Sequence, residues 1–186
     1  MNIAILGGRF DPPHIWHYWT AAQILECVKY IDQVWLMPDY SNAFKPIIAS
    51  AIDRLDMLHF LEAGRIRVST IALARENVTY TVELVSGLVR DQYNKYFWVV
   101  GSDVTAEFSR WRDYQKLSKI INFLVFPRKD YPIKNLPSGF EKIEGNLILS
   151  NISSTLIRDR IKSSLSIKGL VFPEVEEIIR TRNLYK

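Results

Sequence analysis

An apolar tetrad, Ile3-Ala4-Ile5-Leu6, runs straight into Gly7-Gly8 and then Arg9-Phe10-Asp11-Pro12-Pro13-His14-Ile15-Trp16-His17. Four apolar residues without polar alternation predict a strand buried on both faces, as in a parallel sheet covered by helices. Two adjacent glycines permit a tight turn and let a ligand come close to the backbone. Pro12 and Pro13 stiffen the approach to a helix starting near Ile15. His14 and His17, three residues apart, share one face of that helix. A strand, turn and helix in this order offer free backbone N–H groups at a helix N-terminus, where anions such as phosphate are held.

The rest of the chain continues the alternation. Strands are predicted at Ile3–Leu6, Val34–Met37, Ile66–Ser69, Phe97–Val100, Phe123–Phe126 and Leu147–Leu149. Helical patterns fall at Ile15–Val28, Ile52–Ala63, Thr81–Asp91, Asp113–Lys119 and Thr155–Lys162. A last helix opens at Pro173, with Glu174, Glu176 and Glu177 at its positive end and Arg180 and Arg182 near its negative end. Such alternation implies an α/β fold with a doubly wound parallel sheet and a small C-terminal helical region. No repeat or linker divides it, so residues 1–186 are read as one domain. Two loop-rich segments, Asp39–Ser50 and Pro127–Gly145, each follow a predicted strand. Both therefore start at the carboxyl edge, where ligands of open α/β sheets bind.

Composition narrows the function. The net charge of +4 suits a phosphate-binding site, and no run of Lys and Arg exceeds two residues, so no nucleic-acid surface is expected. No apolar stretch is long enough to cross a bilayer, and the first residues lack the pattern of a secretory leader. A cytoplasmic protein with no membrane partner is the expectation. Cys27 has no second cysteine to pair with and lies in an apolar pattern, as a buried structural thiol does. His14 and His17 have zinc-like spacing, but His59 is the only other histidine, and no metal site is assigned.

A second cluster, Ile152-Ser153-Ser154-Thr155-Leu156-Ile157-Arg158, sits near the other end. Ser153 or Ser154 can cap the helix that follows, or the same hydroxyls and N–H groups can bind a phosphate. Arg158, one turn on, can reach the same anion with a forked contact. Between the clusters, Gly101-Ser102-Asp103 ends a strand with a carboxylate able to accept ribose hydroxyls. It could equally cap the next helix. Trp111, between Arg110 and Arg112, is either a rim residue or a stacking surface. Thr81 can cap its helix. Lys45 is a lone lysine in a loop, and Arg128 follows a strand at the ligand-binding edge.

The segment Gly7-Gly8-x-Phe10-Asp11-Pro12-Pro13-His14-x-x-His17 resembles the His-x-Gly-His signature of the nucleotidyltransferase superfamily. Ile152-Ser153-Ser154-Thr155-x-x-Arg158 resembles its C-terminal Ile-Ser-Ser-Thr-x-x-Arg signature. Within the superfamily the chain resembles bacterial-type nicotinate-nucleotide adenylyltransferases nearly end to end. Pro38 with Lys45, Asp53-Arg54 with Met57-Leu58, Tyr80-Thr81, Gly101-x-Asp103, Phe108-x-x-Trp111 and Asn183-Leu184-Tyr185 carry the match in order.

The resemblance implies a Rossmann-like fold and adenylyl transfer from ATP, with Mg2+, to nicotinate mononucleotide. It implies charge stabilisation by His14, His17 and Arg158. ATP would be bound by Gly7, Gly8, Phe10, Asp103, Ser153, Ser154 and Thr155. The second substrate would meet Lys45, Tyr80, Thr81, Trp111 and Arg128, with Trp111 under the pyridine ring. Two positions depart from the family pattern: Arg9 replaces a threonine or serine, and Trp16 replaces the glycine between the histidines. The indole could rotate away, form a new wall or obstruct ATP. The sequence thus leaves open a preference for nicotinamide mononucleotide, another acceptor such as phosphopantetheine, or a non-catalytic nucleotide-binding protein. It also leaves homo-oligomerisation open.

Overall fold

The computed structural model describes residues 1–40, 46–75, 80–133 and 135–186. Among these, six strands form one sheet: β1 (Asn2–Gly8), β2 (Gln33–Pro38), β3 (Ile66–Val68), β4 (Lys95–Gly101), β5 (Asn122–Phe126) and β6 (Phe140–Lys142). The order is β3-β2-β1-β4-β5-β6 and every pair is parallel. The helices are α1 (Ile15–Cys27), α2 (Ala51–His59), α3 (Thr81–Leu88), α4 (Ser102–Thr105), α5 (Tyr114–Ile120), α6 (Ser154–Lys162) and α7 (Pro173–Thr181).

Alternation along the strands divides the core in two. From β1, Ala4 joins one cluster with Ile24, Met57, Ile157 and Val175, contributed by α1, α2, α6 and α7. Ile3 and Ile5 join the other with Val82, Val85 and Leu117, from α3 and α5. The fold is therefore a doubly wound, Rossmann-like α/β sheet. Strands are added outward from β1 in one direction and from β4 in the other. That reversal between β1 and β4 opens a crevice at their carboxyl ends, the position ligands take in open α/β sheets. Gly7 leaves room there for Trp98 of β4, since a Cβ at position 7 would stand 2.8 Å from the indole.

Leu147–Leu149 is not a strand, contrary to expectation. Gln23 of α1 takes over its backbone groups: Ile148 N–H donates to Oε1 at 2.7 Å, and Nε2 donates to the Ile148 carbonyl at 3.3 Å. Ile148 is 60% and Leu149 40% exposed, and only Leu147 packs partly against the core. The sixth strand is Phe140–Lys142, where the Phe140 ring stacks on Phe123 with centroids 4.3 Å apart. Helices α2 and α3 also stop short of the expected Ala63 and Asp91. Cys27 closes α1 half-buried rather than fully buried, and a Cβ on Gly145 would stand 2.8 Å from its Sγ.

Candidate active site

The first cluster folds at the crevice. Phe10 adopts a left-handed backbone (φ 49°) and buries its ring 4.7 Å from that of His17. His14 precedes α1 with extended backbone, and its N–H donates to His17 Nδ1 at 3.1 Å. The two imidazoles stack with centroids 3.6 Å apart. Burial, then Arg128, lowers the His14 pKa to about 3. Burial, then His14 and Arg128, holds His17 well below the ordinary imidazole value. Both rings are therefore neutral near pH 7. With its Nδ1 accepting, neutral His17 carries its proton on Nε2 and can act as a donor there.

The second cluster docks onto the first. Arg158 Nη1 donates to the Asp11 carbonyl at 2.6 Å, and Nη2 donates to Thr155 Oγ1 at 3.2 Å. Ser154 Oγ donates to the Pro12 carbonyl at 2.8 Å. Ser153 caps α6 by accepting the Leu156 N–H at 3.2 Å. The two serines thus divide the tasks that either could have performed. Arg9 donates to the Pro46 carbonyl at 3.2 Å, and burial first and Arg158 second lower its pKa. These two guanidinium groups are held near one another, while Arg128 is the arginine felt by the two imidazoles.

At the end of β4, Asp103 pairs with Arg128 (Oδ1 to Nε, 3.1 Å) rather than capping α4. Ser102 fastens the strand-end segment that carries the arginine: its Oγ accepts the Arg128 N–H at 2.9 Å and donates to the Tyr131 carbonyl at 2.7 Å. On the opposite face of the sheet, Trp111 and Tyr80 are half-buried against the second core cluster. The Arg112 guanidinium lies over the Tyr80 ring at 4.5 Å and pairs with Glu83 at 3.4 Å. This brings the segment carrying Trp111 to the start of α3, where Thr81 is the first helical residue. Thr81 does not cap α3; Glu83 instead accepts the Tyr80 N–H at 3.3 Å. Trp16 is half-buried and meets Phe126 edge-on, with centroids 6.5 Å apart. Lys45 lies outside the described residues.

Three buried groups beneath the site had no role assigned from sequence. The Asp11 carboxylate accepts the N–H groups of Ile48 (2.7 Å) and Ala49 (3.0 Å). Arg54, 1% exposed, donates to the carbonyls of Arg9 (2.7 Å), Tyr40 (3.3 Å) and Ala49 (3.3 Å). Tyr185 is buried nearby. The available signal was in α2: Arg54 shares the buried face with Met57, Leu58 and Leu61, and a charge on an apolar stripe needs partners.

A doubly wound parallel sheet with neutral imidazoles and guanidinium groups collected at its reversal point is the architecture of a nucleotidyltransferase. Residues 5–160 match the family described as cytidylyltransferase-like. A probable nicotinate-nucleotide adenylyltransferase of Shouchella clausii is 33% identical over 194 residues, covering 99% of this chain and 96% of that protein. One from a Nitratiruptor species is 37% identical over 185 residues, covering 97% and 98%. The chain belongs to the nicotinate-nucleotide adenylyltransferases of the cytidylyltransferase-like family. The solved nicotinic acid mononucleotide adenylyltransferase of Plasmodium falciparum, complexed with NaAD, shares the fold. Its TM-score is 0.85 at 21% identity, covering 99% of this chain and 97% of that one. Among the described residues no helix is long and apolar enough to cross a membrane.

Proposed function

We propose that the protein transfers the adenylyl group of ATP to nicotinate mononucleotide, giving deamido-NAD and pyrophosphate. The observation that carries this reading is the seam between the two clusters. Arg158 and Ser154 bind the carbonyls of Asp11 and Pro12, so the two clusters from opposite ends of the chain meet at one crevice.

A phosphate oxygen of the mononucleotide attacks the α-phosphorus of ATP, and the bond to the β-phosphate oxygen breaks. No protein nucleophile is needed. The protein's task is to hold two anions that repel each other and to stabilise the charge of the transition state. Neutral His17 donates from Nε2, while Arg158, Lys45 and Arg9 supply positive charge. Gly7, Gly8, Phe10, Ser153, Ser154 and Thr155 would surround the triphosphate. Asp103 would accept a ribose hydroxyl and Arg128 would meet the mononucleotide phosphate, so their mutual pair opens when substrates bind. Trp111, with Tyr80 and Thr81, would hold the pyridine ring. Magnesium would enter as the counter-ion of the ATP phosphates and offset their charge. Residues 1–186 would act as one catalytic domain in the cytoplasm, with no nucleic-acid or membrane partner.

The test is direct. Purified protein is incubated with magnesium, ATP and either nicotinate or nicotinamide mononucleotide, and the products are identified by mass. Deamido-NAD and pyrophosphate should form faster than NAD. Faster NAD formation would move the assignment to the amide substrate. No dinucleotide from either, with ATP still bound in calorimetry, would leave a binding protein and end the transferase reading.

A further inference from the structure

The loop that presents the histidines rests on a buried charged support that the transfer chemistry does not itself use. Asp11, 0% exposed, lies three residues before His14. Its carboxylate holds the backbone of residues 48 and 49, while its carbonyl is held by Arg158 of α6. Arg54 rises from α2 and gathers the carbonyls of residues 9, 40 and 49, which belong to separate stretches of chain. The C-terminal residues close the arrangement. Asn183 and Tyr185 take left-handed backbone (φ 52° and 66°), and the Leu184 N–H donates to the Ile179 carbonyl at 3.0 Å. This turn folds Tyr185 back into the core, 4% exposed, in the same cluster as Phe10. The Tyr185 hydroxyl is buried without a well-aligned hydrogen bond among the described residues, and Asp11, Arg54 and Arg158 are the charges it faces. Arg182 ties the end of α7 to α2 through Asp53 (2.7 Å) and Asp56 (2.8 Å).

We propose that Arg54 and Tyr185 are positioning residues for the transfer site, acting through Asp11 and the Arg9 carbonyl to set where His14, His17 and Arg158 stand. A buried arginine costs free energy unless its donors are satisfied, and here they are satisfied by carbonyls of the site-bearing loops. Its three bonds therefore fix those loops relative to α2. The phenol adds a polar group next to the only carboxylate in the histidine loop. The last turn of the chain thereby becomes part of the support of the phosphate-holding loop. The inference rests on the proposed transfer reaction for its kinetic consequence, but its geometric consequence can be read without it.

The variant of choice is Tyr185→Phe, which keeps the ring and its packing. The imidazole resonances of His14 and His17 should shift in NMR spectra of the variant, while those of His59, on the far side of α2 beside Glu62, should hold still. In the transfer assay kcat should fall about tenfold while both KM values stay within about threefold, since a preorganised donor set would be displaced rather than removed. Placed on an Arg158→Ala background, the same substitution should cost less than about twofold, because groups acting through one network are not additive. Arg54→Lys, which keeps the charge and loses the fork, should reproduce the shift of the histidine resonances. Unmoved His14 and His17 signals would overturn the proposal whether or not the protein turns over ATP. A wild-type protein without transfer activity whose histidine signals move in Tyr185→Phe would sink the reaction and keep the support.

Discussion

Trp16 stands between the two histidines, where the family pattern has glycine. Its indole meets Phe126, the final residue of β5, edge-on. Since β4 lies between β1 and β5, the ring reaches across the carboxyl end of β4 on the face covered by α1. We propose that this placement makes it a side wall of the crevice. Trp16→Gly should therefore leave kcat within about threefold, a barrier change below about 1 kcal/mol. It should lower unfolding free energy by about 2 kcal/mol, through lost packing and a glycine in the first helical turn. Denaturant unfolding and steady-state kinetics read the two effects separately. A rise in kcat/KM of tenfold or more would instead mean that the indole obstructs. From sequence the three fates of this ring were equally open, because its direction depends on Phe126, which lies 110 residues further on. The neutral state of the histidine pair was hidden for the same reason. It arises from burial and from Arg128, which only the fold brings near.

At the scale of elements, the turn from β4 into α4 decides whether two substrate-binding candidates can meet. Gly101 has ordinary backbone (φ −74°), so its lack of a side chain serves space rather than conformation. A Cβ there would run into Asp103 Oδ1 and stand 2.7 Å from Arg128 Nε. Gly101→Ala should separate the pair and raise KM for both substrates about tenfold, the value of one displaced charged contact. Stability should change by less than about 1 kcal/mol, because the pair is partly exposed and such pairs contribute little to folding. Unchanged KM values would remove Asp103 and Arg128 from substrate binding. The long elements around this turn were legible because their patterns are strong: β1, β2, β4 and β5, and helices α1, α6 and α7, stand where periodicity and capping residues predict. Leu147–Leu149 deceived because three apolar residues look alike in a strand and in a surface segment. What decided was Gln23, whose side-chain amide satisfies that backbone from another element. The edge strand Phe140–Lys142 carried no comparable signal. It has two charged residues in three and depends on Phe123 for its place.

For the whole molecule, two imidazoles held neutral inside the fold tie stability to pH. Unfolded histidine titrates near 6.5, whereas His14 in the folded protein titrates near 3 and His17 well below its ordinary value. Between these limits the unfolded chain binds more protons than the native one, so stability rises with pH across the window and falls as acid is added. The histidines' contribution is fully present above about 6.5 and is lost progressively toward the folded-state value. Lowered carboxylate pKa values at Asp53 and Glu62 act in the same direction but at lower pH, nearer the ordinary carboxylate range. A His14→Gln, His17→Gln double variant separates the two sources, since it keeps hydrogen-bonding side chains and removes the titration. Denaturant midpoints measured from neutral pH to about pH 4.5 should slope steeply for the wild type and much less for the variant. Equal slopes would mean that the imidazoles titrate alike in the folded and unfolded chain, so that burial does not hold them below the ordinary imidazole range. In that case the neutrality enforced by burial, on which the donor role proposed for His17 rests, would have to be given up.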